Sequence, residues 1–234
     1  MVKLSEHDDF WKHFFKNPRT NYNPYMIRLK EYPNHIMYDK EIMDSYKGRW
    51  NEFFKNDNPI YLEIGSGSGN FALGMGERYR GKRNHMALEL RFKRLHSSAR
   101  KSSNLGLDNV LFIRRFGEEI SEFLGEGEIS GLYINFPDPW EGNEKNRILQ
   151  AKLFTSLDKV LKVGGKLFFK TDHDVYYQDV LELAKTLENY RVVFHTPDLH
   201  NSEKVEGNIE TEFEQLFLNK HNKNINYIEI EKIK

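Results

Sequence analysis

Ile60-Tyr61-Leu62-Glu63-Ile64-Gly65-Ser66-Gly67-Ser68-Gly69 is the stretch whose reading decides the fold. Its apolar first half reads as a buried strand, Ile60–Ile64. Gly65, Gly67 and Gly69 follow at once. Without a Cβ, each can take a positive φ and let backbone approach a ligand closely. The spacing of apolar residues then predicts a helix over Phe71–Arg80. Strand, glycine loop and helix in this order are a general nucleotide-binding device. The dinucleotide fingerprint is G-x-G-x-x-G, whereas this loop is G-x-G-x-G with Glu63 inside the strand end.

The same alternation runs on through the chain. Further strands are predicted at His85–Leu90, Val110–Arg114, Leu132–Phe136, Lys166–Thr171, Arg191–His195 and Asn226–Ile230. Helical spacing recurs at Lys93–Asn104, Leu149–Leu161 and Val175–Leu187. Gly164-Gly165 reads as a helix stop before the fifth strand. Alternation of this kind predicts an α/β fold with a mostly parallel, doubly wound sheet. The polar stretch Thr196–Lys223 is too long for a tight hairpin, and a helix is expected near Thr211–Lys220. Residues 1–59 read as a lead-in segment packed on a core domain of residues 60–234. Trp11, Phe14, Phe15, Tyr22, Tyr25, Tyr32 and Trp50 give that segment aromatic mass without a clear period.

Composition narrows the function. The 234 residues are 38% hydrophobic, which suits one α/β domain with a modest extension. No apolar run approaches the roughly 18 residues of a membrane span. The first residues, MVKLSEHDDFWKHFF, lack a secretory apolar core. The absence of cysteine excludes disulfides, thiolate zinc sites and cysteine nucleophiles, and a cytoplasmic location is expected. Formal net charge is zero, yet eleven Lys and Arg lie between Arg78 and Arg115, opposed by Glu89 and Asp108. That asymmetry reads either as a positive face for a polyanion or as a solvated helix face.

Two more segments carry chemistry. Glu89 closes the second strand, where a carboxylate accepts both hydroxyls of a ribose. Asn135-Phe136-Pro137-Asp138-Pro139-Trp140 follows the apolar run Leu132-Tyr133-Ile134. Two prolines stiffen a loop that holds one carboxylate and one indole beyond a strand's carboxyl end, where ligands of open α/β sheets bind. Pro-Asp-Pro is also ordinary turn chemistry. Trp140 reads either as a stacking surface for RNA or as a residue packed beneath the loop. His173 and His200 flank acids but lack a metal-ligand spacing, so no metal is expected.

Taken in order, EIGSGSGNF at Glu63–Phe71, LEL at Leu88–Leu90, NFPDPW at Asn135–Trp140, KTDHD at Lys170–Asp174, DLH at Asp198–His200 and NIETEFE at Asn208–Glu214 resemble the tRNA (guanine-N7)-methyltransferase family. The match covers roughly residues 58–218, and the combination is far more specific than any one motif. The resemblance implies a Rossmann-like class I methyltransferase fold with seven strands, the last antiparallel. It also implies S-adenosyl-L-methionine as methyl donor and a variable-loop guanine of tRNA as acceptor. By motif, Glu63, Gly65, Gly67, Gly69, Glu89 and Phe116 would hold the cofactor. Asp138 would be the catalytic-site acid. Asp172, Thr211, Glu212, Phe213 and Glu214 would line the guanine and tRNA side.

The sequence departs from the family at two places. Phe116 stands where an acid or Asn usually meets adenine; it offers a ring and no acceptor. The loop Glu141-Gly142-Asn143-Glu144-Lys145-Asn146-Arg147 is nearly neutral where the family's is basic, and Gly142 replaces a lysine. The alternatives are a methyltransferase acting on another RNA base and an RNA- or cofactor-binding module without catalysis.

Overall fold

The computed structural model of the chain describes residues 23–221 and 223–234. Trp11, Phe14, Phe15 and Tyr22 of the aromatic lead-in lie outside the described residues. Eight strands form one sheet: β1 (Ile36–Met37), β2 (Ile60–Ile64), β3 (Asn84–Leu88), β4 (Val110–Ile113), β5 (Ile129–Asn135), β6 (Leu161–Thr171), β7 (Tyr190–Thr196) and β8 (Asn226–Lys232). Their order is β1-β4-β3-β2-β5-β6-β8-β7. Neighbours are parallel except β8, which runs antiparallel to both β6 and β7.

The sheet has eight strands where the resemblance implies seven. The added strand, β1, is two residues long and pairs with Phe112 and Ile113 of β4. Two residues make no period, so no pattern reveals them. They are held because Phe112 N donates to His35 O (2.9 Å) and Arg114 N to Met37 O (2.9 Å).

Four longer helices connect the strands: α1 (Asn70–Arg78), α2 (Phe92–Asn104), α3 (Ala151–Val160) and α4 (Asp174–Lys185). A shorter one, α5 (Glu212–Leu216), passes into a π-type turn at Phe217–His221. Alternate side chains of each strand feed opposite faces. Met86, Leu88, Leu111 and Ile113 join the larger apolar cluster, which also takes in Trp50 and Phe123. Ala87, Val110 and Phe112 join the smaller one with Leu95 of α2. Trp50 is fully buried, and its Nε1 donates to Phe123 O at 2.8 Å.

Gly164 and Gly165 do not stop a helix. α3 ends at Val160, and Leu161 is already extended. The glycines fall inside β6, where the register against β5 jumps from Leu161 to Lys166 and residues 162–165 loop out of the ladder. Gly164 supplies the positive φ of 77° that this bulge needs. No helix among the described residues is long and apolar enough to cross a membrane.

Strand order reverses between β2 and β5. From β2 the chain builds outward through β3 and β4, then returns to place β5 on β2's other flank. The crevice beyond the carboxyl ends of these two strands is where such a sheet binds ligands. It lies between the glycine loop and the Pro137–Trp140 loop.

Candidate active site

A cleft of about 570 Å³ occupies that crevice. Its first wall is the end of β2. Gly65 N and Ser66 N both donate to Leu88 O, at 3.0 and 2.8 Å, and turn the chain sharply at the strand end. Gly65, Gly67 and Gly69 have φ of 80°, 56° and 78°, which residues with a Cβ rarely adopt. Gly69 carries a second demand. A Cβ there would sit 2.6 Å from Ser98 Oγ and 2.9 Å from Phe112 Cε1. Gly65 and Gly67 line the cleft, whereas Gly69 lies behind it at the start of α1, packed against α2 and β4.

Glu63 is 4% exposed and faces the cleft. Its Oε1 accepts from Asn135 Nδ2 at 3.1 Å, and its Oε2 has no partner among the described residues. Burial pushes this carboxyl up to about 7, against the pull of Asn135 and Lys170. An orphaned, desolvated carboxylate oxygen calls for a cation or an N–H donor. Glu89, at the end of β3, accepts from Leu90 N and Arg91 N through Oε1, each at 2.8 Å. Its Oε2 stands 3.6 Å from Arg94. Phe116 is 55% exposed on the cleft wall beyond β4. A cationic terminus against Glu63, a sugar hydroxyl against Glu89 Oε2 and an aromatic heterocycle against Phe116 would match the chemistry of S-adenosyl-L-methionine. The residues present fit that group.

The second wall is Phe136–Trp140. Phe136 and Trp140 both take left-handed φ, 50° and 48°. Non-glycine residues hold such angles only when their surroundings over-determine them. Phe136 N donates to Lys170 O at 2.8 Å, and the Phe136 ring stacks on Phe213 and Phe217. The other end of the loop is held by Arg147. Its Nε donates to Pro139 O at 2.6 Å, it pairs with Asp179 at 2.6 Å, and its guanidinium lies 4.5 Å from the Tyr176 ring centroid. Asp138, at the crest, is exposed and borders the cleft. Among the described residues it makes no hydrogen bond or ion pair. Trp140 is 45% exposed, so it does not pack beneath the loop.

The third wall is the segment before and within α5. Thr211, Glu212 and Phe213 border the cleft, and Phe213 is half exposed. Glu212 Oε1 accepts from Asn70 Nδ2 at 2.6 Å. Glu214 does not reach the cleft. It is completely buried and accepts from Lys170 Nζ (2.7 Å), His200 Nε2 (2.9 Å), Asn208 Nδ2 (2.5 Å) and Thr211 N (3.2 Å). With every lone pair engaged it has nothing to offer a base edge. Asp172 is also not among the cleft-lining side chains; it sits beyond β6 and pairs with Lys223 at 3.3 Å.

The cationic run Arg78–Arg115 is not one continuous face. Arg78 donates to the carbonyls of Gly207 and Asn208, and Arg80 to those of Leu105 and Gly106. Arg83 covers the Tyr79 and Tyr61 rings. Arg115 is buried among Asp44, Glu119 and Glu122. Arg91 and Arg94 remain on the cleft itself. Side chains from successive strands and helices point in different directions, so a run in sequence is not a patch in space. Of the residues to which the sequence assigns no role, Asn70 and Asn135 line the cleft, and Arg147 and Lys170 stand behind it. Lys170 left two signals: it closes the apolar run Leu167-Phe168-Phe169 and opens the KTDHD segment of the resemblance.

A family model described as "Putative methyltransferase" matches residues 57–227. The chain is 60% identical over 228 residues to a protein of Fusobacterium nucleatum named bifunctional glycosyltransferase/methyltransferase. That match covers 97% of this chain and 36% of the relative, so the chain spans little more than a third of that protein's length. It is 35% identical over 215 residues to a tRNA (guanine-N(7)-)-methyltransferase of Cytophaga hutchinsonii, covering 88% of this chain and 96% of that one. A solved S-adenosylmethionine-dependent methyltransferase from Aquifex aeolicus superposes with a TM-score of 0.52 at 13% identity, over 84% of this chain and all of that one. At that identity the likeness speaks for the fold. This chain is an S-adenosylmethionine-dependent methyltransferase and belongs to the tRNA (guanine-N7)-methyltransferase family.

Proposed function

We propose that the chain methylates N7 of a guanine in the variable loop of tRNA. The observation that carries this reading is the pair of opposed acids: Glu63, buried and orphaned on one wall, and Asp138, exposed and unpaired on the other. The relatives named for guanine-N7 transfer to tRNA support the choice of base and of RNA. The Fusobacterium relative, of whose length this chain matches 36%, carries methyltransferase in its name and supports the reaction type.

When bound, the cofactor supplies an electrophilic methyl group on a sulfonium. N7 of guanine has a free lone pair and no proton, so no general base is required. Transfer of that methyl group to N7 would leave sulfur with the electron pair of the S–CH3 bond and the purine cationic. The protein's task is therefore position and field. Glu63 Oε2 would hold the cofactor's cationic end, Glu89 Oε2 a ribose hydroxyl, and the Phe116 ring the adenine. Asp138 accepts from the N1–H and N2–H2 edge of guanine and offsets the charge that grows on the base. Phe213 offers a stacking face, beside Thr211 and Glu212. Arg91 and Arg94 take backbone phosphates, which dominate nucleic-acid affinity.

The test is transfer from labelled S-adenosyl-L-methionine to two tRNA transcripts, one with the variable-loop guanine and one with adenine in its place. Label on the first alone, mapped to N7, is the expected result. Label on both moves the target base. Label on neither, with cofactor bound, removes the proposed activity.

A further inference from the structure

We propose that Lys170 is a positioning residue that fastens the segment 208–214 across the mouth of the cleft and so sets where Thr211, Glu212 and Phe213 meet the base. This rests on the reading of those three residues as the base side of the site.

Lys170 stands at the carboxyl end of β6, 3% exposed. Its Nζ lies 5.2 Å from the centroid of the Phe71 ring. An ammonium has three hydrogens to donate, and all three go to one stretch of chain. Asn208 Oδ1 accepts at 2.9 Å, Ile209 O at 3.0 Å and Glu214 Oε2 at 2.7 Å. Glu214 closes the circuit through His200, Asn208 and the amide of Thr211, the last as half of a capping box that starts α5. A buried charge is tolerated only when its hydrogen bonds are complete, and here they are.

The backbone of the same residue holds a second wall. Lys170 O accepts from Phe136 N at 2.8 Å and so pins the first left-handed residue of the Asp138 loop. The Phe136 ring in turn stacks on Phe213, centroids 6.4 Å apart. One residue thus joins the acid-bearing loop through its carbonyl and the α5 segment through its ammonium. Other anchors of the segment come from α1: Arg78 on the carbonyls of Gly207 and Asn208, and Asn70 on Glu212. Loss of the lysine charge therefore loosens the segment without releasing it from the body of the protein.

The test is Lys170→Met, a side chain of similar length without charge, beside Glu214→Gln and the double variant. Hydrogen exchange on the RNA-free protein reads the clamp, and steady-state kinetics with a tRNA transcript read its consequence. In Lys170→Met, amides of 208–214 are expected to exchange about tenfold faster while those of β2–β4 keep their rates. KM for the transcript rises roughly tenfold, the cofactor dissociation constant stays within about twofold, and the double variant regains part of the loss because no lone buried charge remains. Unchanged exchange at 208–214 overturns the clamp. Faster exchange with an unchanged KM overturns the base-side reading and the positioning role with it. A cofactor affinity that falls as far as the transcript's overturns the proposal as well. Should Lys170→Met fail to fold, Asn208→Ala removes one acceptor of Lys170 and one donor to Glu214 and leaves the ion pair. A rise of about threefold in exchange confined to 208–214 is then expected, and no rise overturns the proposal.

Discussion

The two long walls of the cleft are built on different principles. The wall at β2 is local: an apolar strand, three left-handed glycines and a helix start, each following the last in sequence. Its one acid, Glu63, is buried by the sheet itself. The wall at Phe136–Trp140 is imposed from a distance. Two non-glycine residues are held in left-handed conformations by Lys170, from another strand, and by Arg147, which is eight residues past Pro139 and is itself fixed by Asp179 of α4. The difference suits the tasks proposed for them. A cofactor wall must accept the same ligand in every turnover. A base-side wall must meet a nucleotide drawn from a large RNA, and its geometry is set by contacts that single substitutions can undo.

The largest effect expected on the local wall is at Gly69. Gly69→Ala places a Cβ 2.6 Å from Ser98 Oγ and in a strained φ. A stability loss of about 3 kcal/mol is expected in denaturant melts. Gly65→Ala meets no atom within 4 Å and carries the φ penalty alone, expected at about 1 kcal/mol. Equal losses at the two glycines would show that packing behind the loop contributes nothing.

On the imposed wall, Arg147→Ala frees the Pro139 carbonyl and the Asp138 crest. Turnover on tRNA is expected to fall about tenfold with cofactor affinity unchanged. A fall in cofactor affinity instead would mean that the two walls are not separately held. The third prediction is a pH dependence confined to the cofactor wall. Burial raises the Glu63 carboxyl to about 7, so a cationic ligand must displace a proton below that pH. Affinity for S-adenosyl-L-methionine is expected to weaken about tenfold from pH 8 to pH 6, and Glu63→Gln to flatten the profile. The sign for the ligand-free protein is opposite. Between the ordinary carboxylate range and pH 7 the folded state binds this proton and the unfolded state does not, so this group adds stability as pH falls through that window. Calorimetry at the two pH values checks the first effect, and melts of the ligand-free protein check the second.

The smallest effect is expected at the rim. Arg94→Gln removes one charge from the cleft mouth, 3.6 Å from Glu89. Affinity for tRNA is expected to fall a few-fold, and the slope of log affinity on log salt to drop by about one. An unchanged slope would mean that Arg94 serves Glu89 and not phosphate.

What was legible in the sequence follows the same division. Periodicity locates β2, the four longer helices and the antiparallel β8, because each spans enough residues to show a repeat. The glycine loop and Glu63 are legible because strand, turn and helix are consecutive. β1 is not, since two residues show no pattern and are recruited by β4. Arg147 gets no role of its own from the sequence, where it only ends the nearly neutral loop Glu141–Arg147, because its partner Asp179 stands 32 positions on and meets it only through the fold. Lys170 and Glu214 are 44 positions apart, and only the topology turns a motif acid into a buried anchor. Glu214 shows the limit of a motif: it marks a residue that matters, while burial decides whether that residue touches substrate or holds the one that does.

The central claim is that the walls divide the work, Glu63 holding the cofactor and Asp138 serving the base. One paired measurement tests it: cofactor dissociation constants and single-turnover methyl transfer at saturating cofactor, for Glu63→Gln and Asp138→Asn. The expected result is a dissociation constant raised about tenfold or more in Glu63→Gln, with the saturated rate largely kept. For Asp138→Asn the rate is expected to fall about a hundredfold with the dissociation constant unchanged. Both variants moving both quantities together, or Asp138→Asn turning over at the parent rate, would contradict it.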